Sequence, residues 1–192
     1  MEGIPARLRQ ATAGLRPPFA VVDIDAVRAN ASSMVGRAAG LPIRVASKSV
    51  RCRSILDQVL TRDGFSGVMA YSLDEAIWLA RSGYADVLLT YPTADRAALV
   101  ELPVDHELQR SVMIMADSPE HVDLIAGVVQ SGTIRVGLDV DASLRIGPLH
   151  LGVRRSPVPV RCAKGSTGCI FVRGGDLVDA VPTYRGEGKN FG

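Results

Sequence analysis

The stretch Ile43-Arg44-Val45-Ala46-Ser47-Lys48-Ser49-Val50-Arg51 decides both the fold and the function that this sequence predicts. Its first half has the apolar character of a buried strand, and Lys48 follows directly. Lys48 is the only lysine in the first 163 residues of a chain that has 19 arginines and three lysines. A desolvated lysine can lose its proton and form a Schiff base with an aldehyde, whereas arginine is a poor amine nucleophile. The alternative interpretation is a lysine that reaches solvent from a strand end.

A strand followed by a helix repeats along the chain after this stretch. Apolar runs predict a lead-in strand at residues 19–24, with Asp25 as the cap of the helix that follows it. Further strands are expected at residues 43–47, 67–71, 86–90, 111–116 and 133–140, with amphipathic helices between them. Two of these helices have predicted starts, at the S-x-x-E capping pattern of residues 72–75 and at Ser118, which Pro119 follows. Strands that alternate with helices in this way predict right-handed crossovers and a parallel sheet.

Two α/β architectures fit this repeat. A doubly wound sheet that binds a dinucleotide carries G-x-G-x-x-G after its first strand, and no such motif follows either candidate strand. A (β/α)8 barrel places its chemistry at the C-terminal ends of its strands. In this chain those ends carry Ser47, Lys48, Tyr71, Ser72, Tyr91, Asp117, Asp139 and Asp141. The sequence therefore predicts an α/β fold, a partial (β/α)8 TIM-type barrel with about five barrel strands, a lead-in strand and an irregular C-terminal tail.

Composition excludes several classes of function. The chain is 47% hydrophobic and 22% charged, and its net charge of +2 is too small to indicate nucleic-acid binding. No apolar run approaches the roughly 20 residues of a membrane span, and we expect no signal peptide. The three cysteines have no CxxC spacing, which favours a reducing compartment over a disulfide scaffold or a zinc site. We therefore predict a cytoplasmic protein that binds neither nucleic acid nor membranes.

Arg145 is a second candidate site residue. Together with Asp139 and Asp141 it could place a guanidinium and a carboxylate at the mouth of the same barrel, although an ordinary loop with a surface charge explains the pattern as well. The three histidines have no Cys, Asp or Glu at metal-ligand spacing. We interpret them as unrelated surface or core residues and predict no metal site.

Four segments resemble the alanine racemase N-terminal domain superfamily, the fold-type III pyridoxal-phosphate enzymes. Residues 18–30 (PFAVVDIDAVRAN) are similar to its opening pattern P-x-x-V-[VI]-D-x-D-A-[LV]-x-x-N, and residues 44–49 lie where the family has its cofactor lysine. Residues 139–147 resemble the strand-five segment, whose arginine lies beside the cofactor. Residues 149–157 are similar to the branch of D-threonine aldolase-like and amino-acid deaminase/aldolase-like proteins.

The resemblance implies a mechanism. Lys48 is expected to hold pyridoxal 5'-phosphate as a Schiff base, and Arg145 to contact an oxygen of the cofactor or the substrate carboxylate. The expected partner is a small-molecule amino-acid substrate, and a homodimer is a possible assembly. Bond cleavage between Cα and Cβ makes the enzyme an aldolase, while the alternatives within the family are an amino-acid racemase and a D-serine dehydratase. A non-catalytic pyridoxal-phosphate-binding or interaction protein is the alternative outside enzymes.

The resemblance ends after Pro157. We divide the chain into a lead-in at 1–17, the N-terminal part of a pyridoxal-phosphate barrel at 18–157, and a tail at 158–192 that does not resemble the family. Residues 151–192 carry a net charge of +4 and eight of the 19 glycines, so the composition changes here. We hypothesise that the tail is a frameshift product or a disordered segment, and that the chain is a truncated and inactive form of the enzyme.

Overall fold

The computed structural model describes residues 4–129, 132–138, 144–146, 149–151, 168–173 and 176–182 of the chain. Side-chain burial and side-chain contacts are described for residues 4–129 and 132–138. The helices of these residues are α1 (Ala6–Thr12), α2 (Ile24–Ala38), α3 (Ser47–Val50), α4 (Arg53–Leu60), α5 (Leu73–Arg81), α6 (Arg96–Leu99), α7 (His106–Ser111) and α8 (Pro119–Val128). The strands are β1 (Ile43–Ala46), β2 (Phe65–Ala70), β3 (Val87–Leu89), β4 (Val112–Ala116), β5 (Thr133–Leu138), β6 (Leu144–Ile146), β7 (Leu149–Leu151), β8 (Gly168–Arg173) and β9 (Asp176–Pro182). None of the described helices combines the length and the apolar character that a membrane span requires.

A seven-stranded sheet in the order β1-β2-β3-β4-β5-β8-β9 forms the centre of the molecule. Strands β1 to β5 are parallel and follow the order of the chain, while β8 and β9 run antiparallel to their neighbours. Helices connect the parallel strands. The prediction of a mixed α/β fold built on five parallel strands is therefore confirmed.

One face of the parallel sheet is covered by helices. Helix α5 packs on β2, β3 and β4, α4 packs on β1 and β2, and α8 packs on β4. The strand side chains on this face are aliphatic and nearly inaccessible to solvent. They are Val45, Val68, Ala70, Val87, Leu89, Val112, Ile114, Ala116, Ile134 and Val136. Burial of this aliphatic face is the main favourable contribution to folding.

The opposite face of the same strands is more open. Because side chains alternate across a strand, this face carries the residues between the buried ones, and the register places Ala46, Met69, Leu88, Met113 and Arg135 in one row across the five strands. Met69, Leu88 and Arg135 are half-buried, while Met113 is 8% exposed. This face is therefore less completely packed than the face that the helices cover.

Several predicted helix starts are confirmed. The Ser72 hydroxyl accepts a hydrogen bond from the Glu75 N–H at the start of α5. Ser118 accepts in the same way from the His121 N–H at the start of α8, where Pro119 occupies the first turn. Serine is favoured at these positions because its oxygen satisfies an N–H group that has no partner within the helix.

The predicted lead-in strand is wrong. Residues 19–23 form no strand, and α2 begins at Ile24 with Asp23 rather than Asp25 as its cap. A strand needs a neighbour to satisfy its N–H and C=O groups, and the described residues offer none to this segment, which leaves Val21 and Val22 about half exposed. Hydrogen bonds from the Ala26 N–H and the Arg7 guanidinium to the Asp23 carboxylate lower the pKa of this carboxyl.

The prediction of an irregular tail is wrong for β8 and β9. These strands pair with each other, and β8 pairs antiparallel with β5 from Gly137↔Cys169 to Thr133↔Arg173. The physical reason is the free edge of β5, whose unpaired N–H and C=O groups accept a further strand. The apolar run Cys169-Ile170-Phe171-Val172 lies within β8.

Candidate active site

Lys48 lies immediately beyond the C-terminal end of β1, in the single turn of α3. Its Nζ donates a hydrogen bond to Tyr91 Oη at 2.5 Å. It also lies 4.7 Å from the centroid of the Tyr91 ring and 5.4 Å from that of Tyr71. Distances below about 6 Å are those at which an ammonium group is attracted to an aromatic ring. The amine is therefore held between two phenol rings.

The two tyrosines follow the ends of neighbouring strands. Tyr71 comes directly after β2, and Tyr91 lies two residues beyond the end of β3. Their ring centroids are 5.5 Å apart and the ring planes meet at 68°, an edge-to-face arrangement that aromatic pairs favour. The parallel strands bring the two tyrosines and Lys48 to one edge of the sheet, where the polar strand ends were predicted to meet.

A hydrogen-bonded network lies beneath the amine. The Ser47 hydroxyl donates to Glu75 Oε1 at 2.8 Å and also lies 3.0 Å from the Met69 carbonyl oxygen. The other oxygen of the same carboxylate, Oε2, accepts from the Tyr71 N–H at 2.8 Å. Ser47 is 3% exposed, so these bonds satisfy a polar group that is almost fully buried. The network ties the end of β1 to the end of β2.

A cleft of about 520 Å³ adjoins the tyrosine pair. Tyr71 and Tyr91 form part of its wall, and polar groups of Ser72, Thr93 and Asp95 contribute to the rest. A volume of this size is within the range of small-molecule sites. Lys48 does not line the cleft itself, but it contacts the two tyrosines that form part of the cleft wall.

His121 lies in the first turn of α8, the helix that follows β4. Its Nε2 lies 2.8 Å from the carbonyl oxygen of Thr93, a residue of the cleft wall. Its Nδ1 is buried, has no hydrogen-bond partner among the described residues and lies 3.9 Å from Asp117 Oδ1. Among the described residues, no three His, Cys, Asp or Glu side chains lie close enough together to bind a metal ion.

Arg145 lies in β6, opposite His150 of β7, in a two-stranded sheet separate from the large one. The structure describes the backbone of Arg145 but not its side chain. Asp139 and Asp141 lie outside the described residues. The contact of Arg145 with a cofactor or a substrate therefore stays a prediction. The structure brings together Ser47, Lys48, Tyr71, Ser72 and Tyr91 from the predicted set of polar strand ends.

The groups around Lys48 fit the reactive part of pyridoxal phosphate. An amine is the group that binds its aldehyde, and the two phenol rings offer aromatic surface and hydroxyl groups of the kind that surround a polar heteroaromatic ring. Thr90, one residue before Tyr91, has a buried hydroxyl without a hydrogen-bond partner among the described residues. The donor set is compatible with this cofactor.

Sequence reasoning missed the role of Glu75. The S-x-x-E pattern of residues 72–75 identified it as part of a helix cap, in which its carboxylate accepts from the N–H of the capping residue. In the structure the carboxylate reaches the N–H of Tyr71 instead, one residue earlier, and the hydroxyl of Ser47 on another strand. No signal in the sequence shows this second contact, because it depends on the register between β1 and β2.

Neither a scan against protein-family models nor a search of the curated proteins gave a match for this chain. The functional conclusion therefore rests on the chemistry of the Lys48 site.

Proposed function

We propose that this chain is a pyridoxal-phosphate-dependent amino-acid enzyme of the D-threonine aldolase-like or amino-acid deaminase/aldolase-like kind, in which Lys48 holds the cofactor. The observation that supports this proposal most strongly is the environment of the Lys48 amine. It is half-buried at the C-terminal edge of a parallel sheet, 2.5 Å from Tyr91 Oη and beside a second phenol ring. A surface lysine that only reaches solvent needs no such surroundings.

The sheet supports the proposal that these strands form part of a TIM-type barrel. Strands β1 to β5 are parallel and in sequential order, and helices cover one face, as on the outside of such a barrel. The residues of the candidate site lie at the C-terminal ends of β1, β2 and β3. This is the end at which (β/α)8 enzymes carry their active sites.

Each residue of the site has a defined task in this proposal. Lys48 Nζ would be the nucleophile that holds the cofactor, and Tyr91 Oη orients the amine by accepting its hydrogen bond. Arg145 is proposed to bind a cofactor oxygen or the substrate carboxylate, for which its planar fork of donors is suited. When bound, pyridoxal phosphate supplies an electron sink for negative charge at the Cα of an amino acid.

The cleft beside the tyrosines is the proposed location of the amino-acid substrate. Hydroxyl groups of Ser72 and Thr93 and the phenols of the two tyrosines can hydrogen-bond polar substituents such as a β-hydroxyl group. Two of the walls, Tyr71 and Tyr91, also contact Lys48. This arrangement favours small, polar amino acids.

A non-catalytic pyridoxal-phosphate-binding protein is the second candidate, and one observation favours it. On the far side of β5 the sheet continues with the antiparallel strand β8 and not with a sixth parallel strand. A site built from the ends of β1, β2 and β3 can bind a cofactor through Lys48 without further parallel strands. Catalysis requires additional groups around the substrate.

The two candidates separate in two steps. In the first, pyridoxal phosphate is added to the full chain and to Lys48→Ala, and the absorbance of the bound cofactor is recorded. We expect a new band that depends on Lys48, while Lys164→Arg, which alters a tail lysine, serves as the matched control and keeps the band. The same band in Lys48→Ala contradicts the proposed role of Lys48.

In the second step the loaded chain is given D-threonine, and the release of glycine and acetaldehyde is measured. Product that disappears in Lys48→Ala identifies an aldolase. Formation of pyruvate from D-serine identifies a dehydratase, and interconversion of the alanine enantiomers identifies a racemase. A Lys48-dependent band without any of these products identifies the non-catalytic binder.

A further inference from the structure

The carboxylate of Glu75 joins the two sides of the Lys48 site. Oε1 accepts from the hydroxyl of Ser47, the residue that precedes Lys48, and Oε2 accepts from the backbone N–H of Tyr71. The Tyr71 ring in turn lies 5.4 Å from Lys48 Nζ. The Glu75 carboxylate therefore contacts both the turn that carries Lys48 and the residue at the end of β2, Tyr71, whose ring lies beside the amine.

These contacts are not the ones that a helix cap needs. Glu75 is the third residue of α5, where a glutamate normally accepts from the N–H of the capping serine. The Ser72 hydroxyl does accept from the Glu75 N–H at 3.2 Å, but the Glu75 carboxylate bonds to groups outside the helix. Hydrogen bonds to an ionised carboxylate are stronger than those between neutral groups, so this bridge restrains both partners.

The hydrogen bonds that hold Ser47 also restrain Lys48, the next residue in the chain. Ser47 is 3% exposed and has its hydroxyl fixed between Glu75 and the Met69 carbonyl oxygen. Because Lys48 is the next residue in the same short turn, its backbone direction follows from the position of Ser47. The Arg51 side chain also donates to the Lys48 carbonyl oxygen at 3.1 Å, which holds the other end of the turn.

We infer that Glu75 is a positioning residue that directs the Lys48 amine towards Tyr91 and the adjoining cleft. This inference rests on the proposed function in so far as the reactive partner is pyridoxal phosphate. The positioning itself concerns the amine and can be measured with any small aldehyde. Glu75 acts through Ser47 and Tyr71 and touches no reacting atom.

Two variants remove the bridge from opposite ends. Glu75→Gln keeps the length of the side chain but removes its negative charge, so that Ser47 and Tyr71 are left with the weaker hydrogen bonds of a neutral amide. Ser47→Ala removes the hydroxyl and leaves Glu75 intact, whereas Ser47→Thr keeps a hydroxyl and is expected to restore the native behaviour. Glu107→Gln is the matched control, since Glu107 is an exposed glutamate in the first turn of α7.

The experiment compares two reactions of the same amine in the full chain. The first is binding of pyridoxal phosphate, followed by absorbance. The second is methylation by formaldehyde and cyanoborohydride, quantified by mass spectrometry for Lys48 relative to Lys164 and Lys189. If the Lys48 amine is no longer held beside Tyr71 and Tyr91, it becomes more accessible to a small reagent such as formaldehyde. It also loses the orientation that a larger ligand such as pyridoxal phosphate requires.

We therefore expect Glu75→Gln to weaken pyridoxal-phosphate binding about ten-fold and to raise the relative methylation of Lys48 by a similar factor, a change in line with one lost charge-assisted hydrogen bond. Ser47→Ala should act in the same direction, and Ser47→Thr and Glu107→Gln should not. Ser47→Ala alone decides the matter if Glu75→Gln does not fold.

The melting temperature distinguishes positioning from support of the fold. Positioning changes both reactions of Lys48 at an unchanged melting temperature, whereas changes that occur only together with a lower melting temperature overturn the inference. A lower melting temperature with unchanged relative methylation of Lys48 overturns the inference. If the wild-type chain binds no pyridoxal phosphate but Glu75→Gln still changes the methylation of Lys48, the proposed function fails and the positioning role stands.

Discussion

The five parallel strands bury aliphatic side chains along their bodies and carry polar side chains at their C-terminal ends. In the bodies, residues such as Val87 and Ile114 are 0% exposed and belong to one hydrophobic cluster. At the ends, Ser47, Lys48 and Tyr91 are bonded to polar groups from neighbouring strands and helices. Only a few residues along each strand separate the two environments.

This contrast indicates that the strand bodies determine the stability of the fold, while the strand ends determine the surroundings of Lys48. Aliphatic burial does not depend on which polar groups follow, so the strand ends are free to differ in sequence. The polar ends in turn depend on the parallel register, since it places residues from β1, β2 and β3 side by side. Substitutions in the bodies should therefore alter stability, and substitutions at the ends should alter the reactivity of Lys48.

The largest effect is expected in a strand body. Ile114→Ala removes three carbon atoms from a fully buried side chain in the middle of β4. We expect the free energy of unfolding to fall by about 2–5 kcal/mol, because the change removes buried apolar surface and leaves a cavity. Urea denaturation followed by circular dichroism measures this loss.

Leu88→Ala is the matched control on the opposite face. It removes the same number of carbon atoms from a half-buried side chain of β3, so we expect a clearly smaller loss. An equal loss for both variants means that the open face of the sheet is as well packed as the helix-covered one, and the contrast between the faces fails.

An intermediate effect is expected at the N-terminal end of β2. Gly67 has a φ of +83°, and a Cβ atom added there lies 2.6 Å from the Asp86 carbonyl oxygen. Gly67→Ala therefore combines a strained backbone with a steric conflict, and we expect it to cost about 1–3 kcal/mol in the free energy of unfolding. The relative methylation of Lys48 should not change, because the substitution lies at the other end of the strands.

Gly36→Ala provides the opposite sign. Gly36 lies within α2, and no atom lies within 4 Å of a Cβ added there. Because glycine weakens the interior of a helix, we expect a gain of about 0.5–1 kcal/mol. A loss of stability in this variant, or a gain in Gly67→Ala, contradicts the positions of the two glycines.

The smallest change in stability and a clear change in chemistry are expected at Tyr91. Tyr91→Phe keeps the ring beside Lys48 and removes the hydroxyl that accepts from Nζ. Because the Tyr91 side chain is substantially exposed, we expect the free energy of unfolding to change by at most about 1 kcal/mol. The reaction of Lys48 with formaldehyde should change measurably, whereas Lys164 and Lys189 should react as before.

An unchanged Lys48 reaction in Tyr91→Phe removes Tyr91 from the site. A loss of stability as large as that of Ile114→Ala contradicts the separation of strand bodies from strand ends.

Much of this architecture could be predicted from the sequence because it depends on local patterns. Apolar runs separated by amphipathic helices gave the five parallel strands, and the residues after each run gave Lys48, Tyr71 and Tyr91 as neighbours. The serines that cap α5 and α8 were predicted for the same reason, since a cap needs only residues within one turn.

The remaining features depend on partners that are distant in sequence. Residues 19–23 have the composition of a strand, but a strand also needs a neighbour to pair with, and the composition of the segment does not show whether one is present. Strands β8 and β9 formed no clear pattern, because their pairing depends on the free edge of β5. The contacts of Glu75 and His121 with the site are missed for the same reason, as both join elements that only the fold brings together.

The most direct test of the Lys48 site uses the three lysines of the chain. Pyridoxal phosphate is added, the complex is reduced with borohydride, and peptide mapping locates the added mass on Lys48, Lys164 or Lys189. We expect the mass on Lys48 at substoichiometric cofactor, and we expect Lys48→Arg to abolish it while retaining the positive charge. Equal labelling of all three lysines, or labelling that persists in Lys48→Arg, contradicts a cofactor site at Lys48.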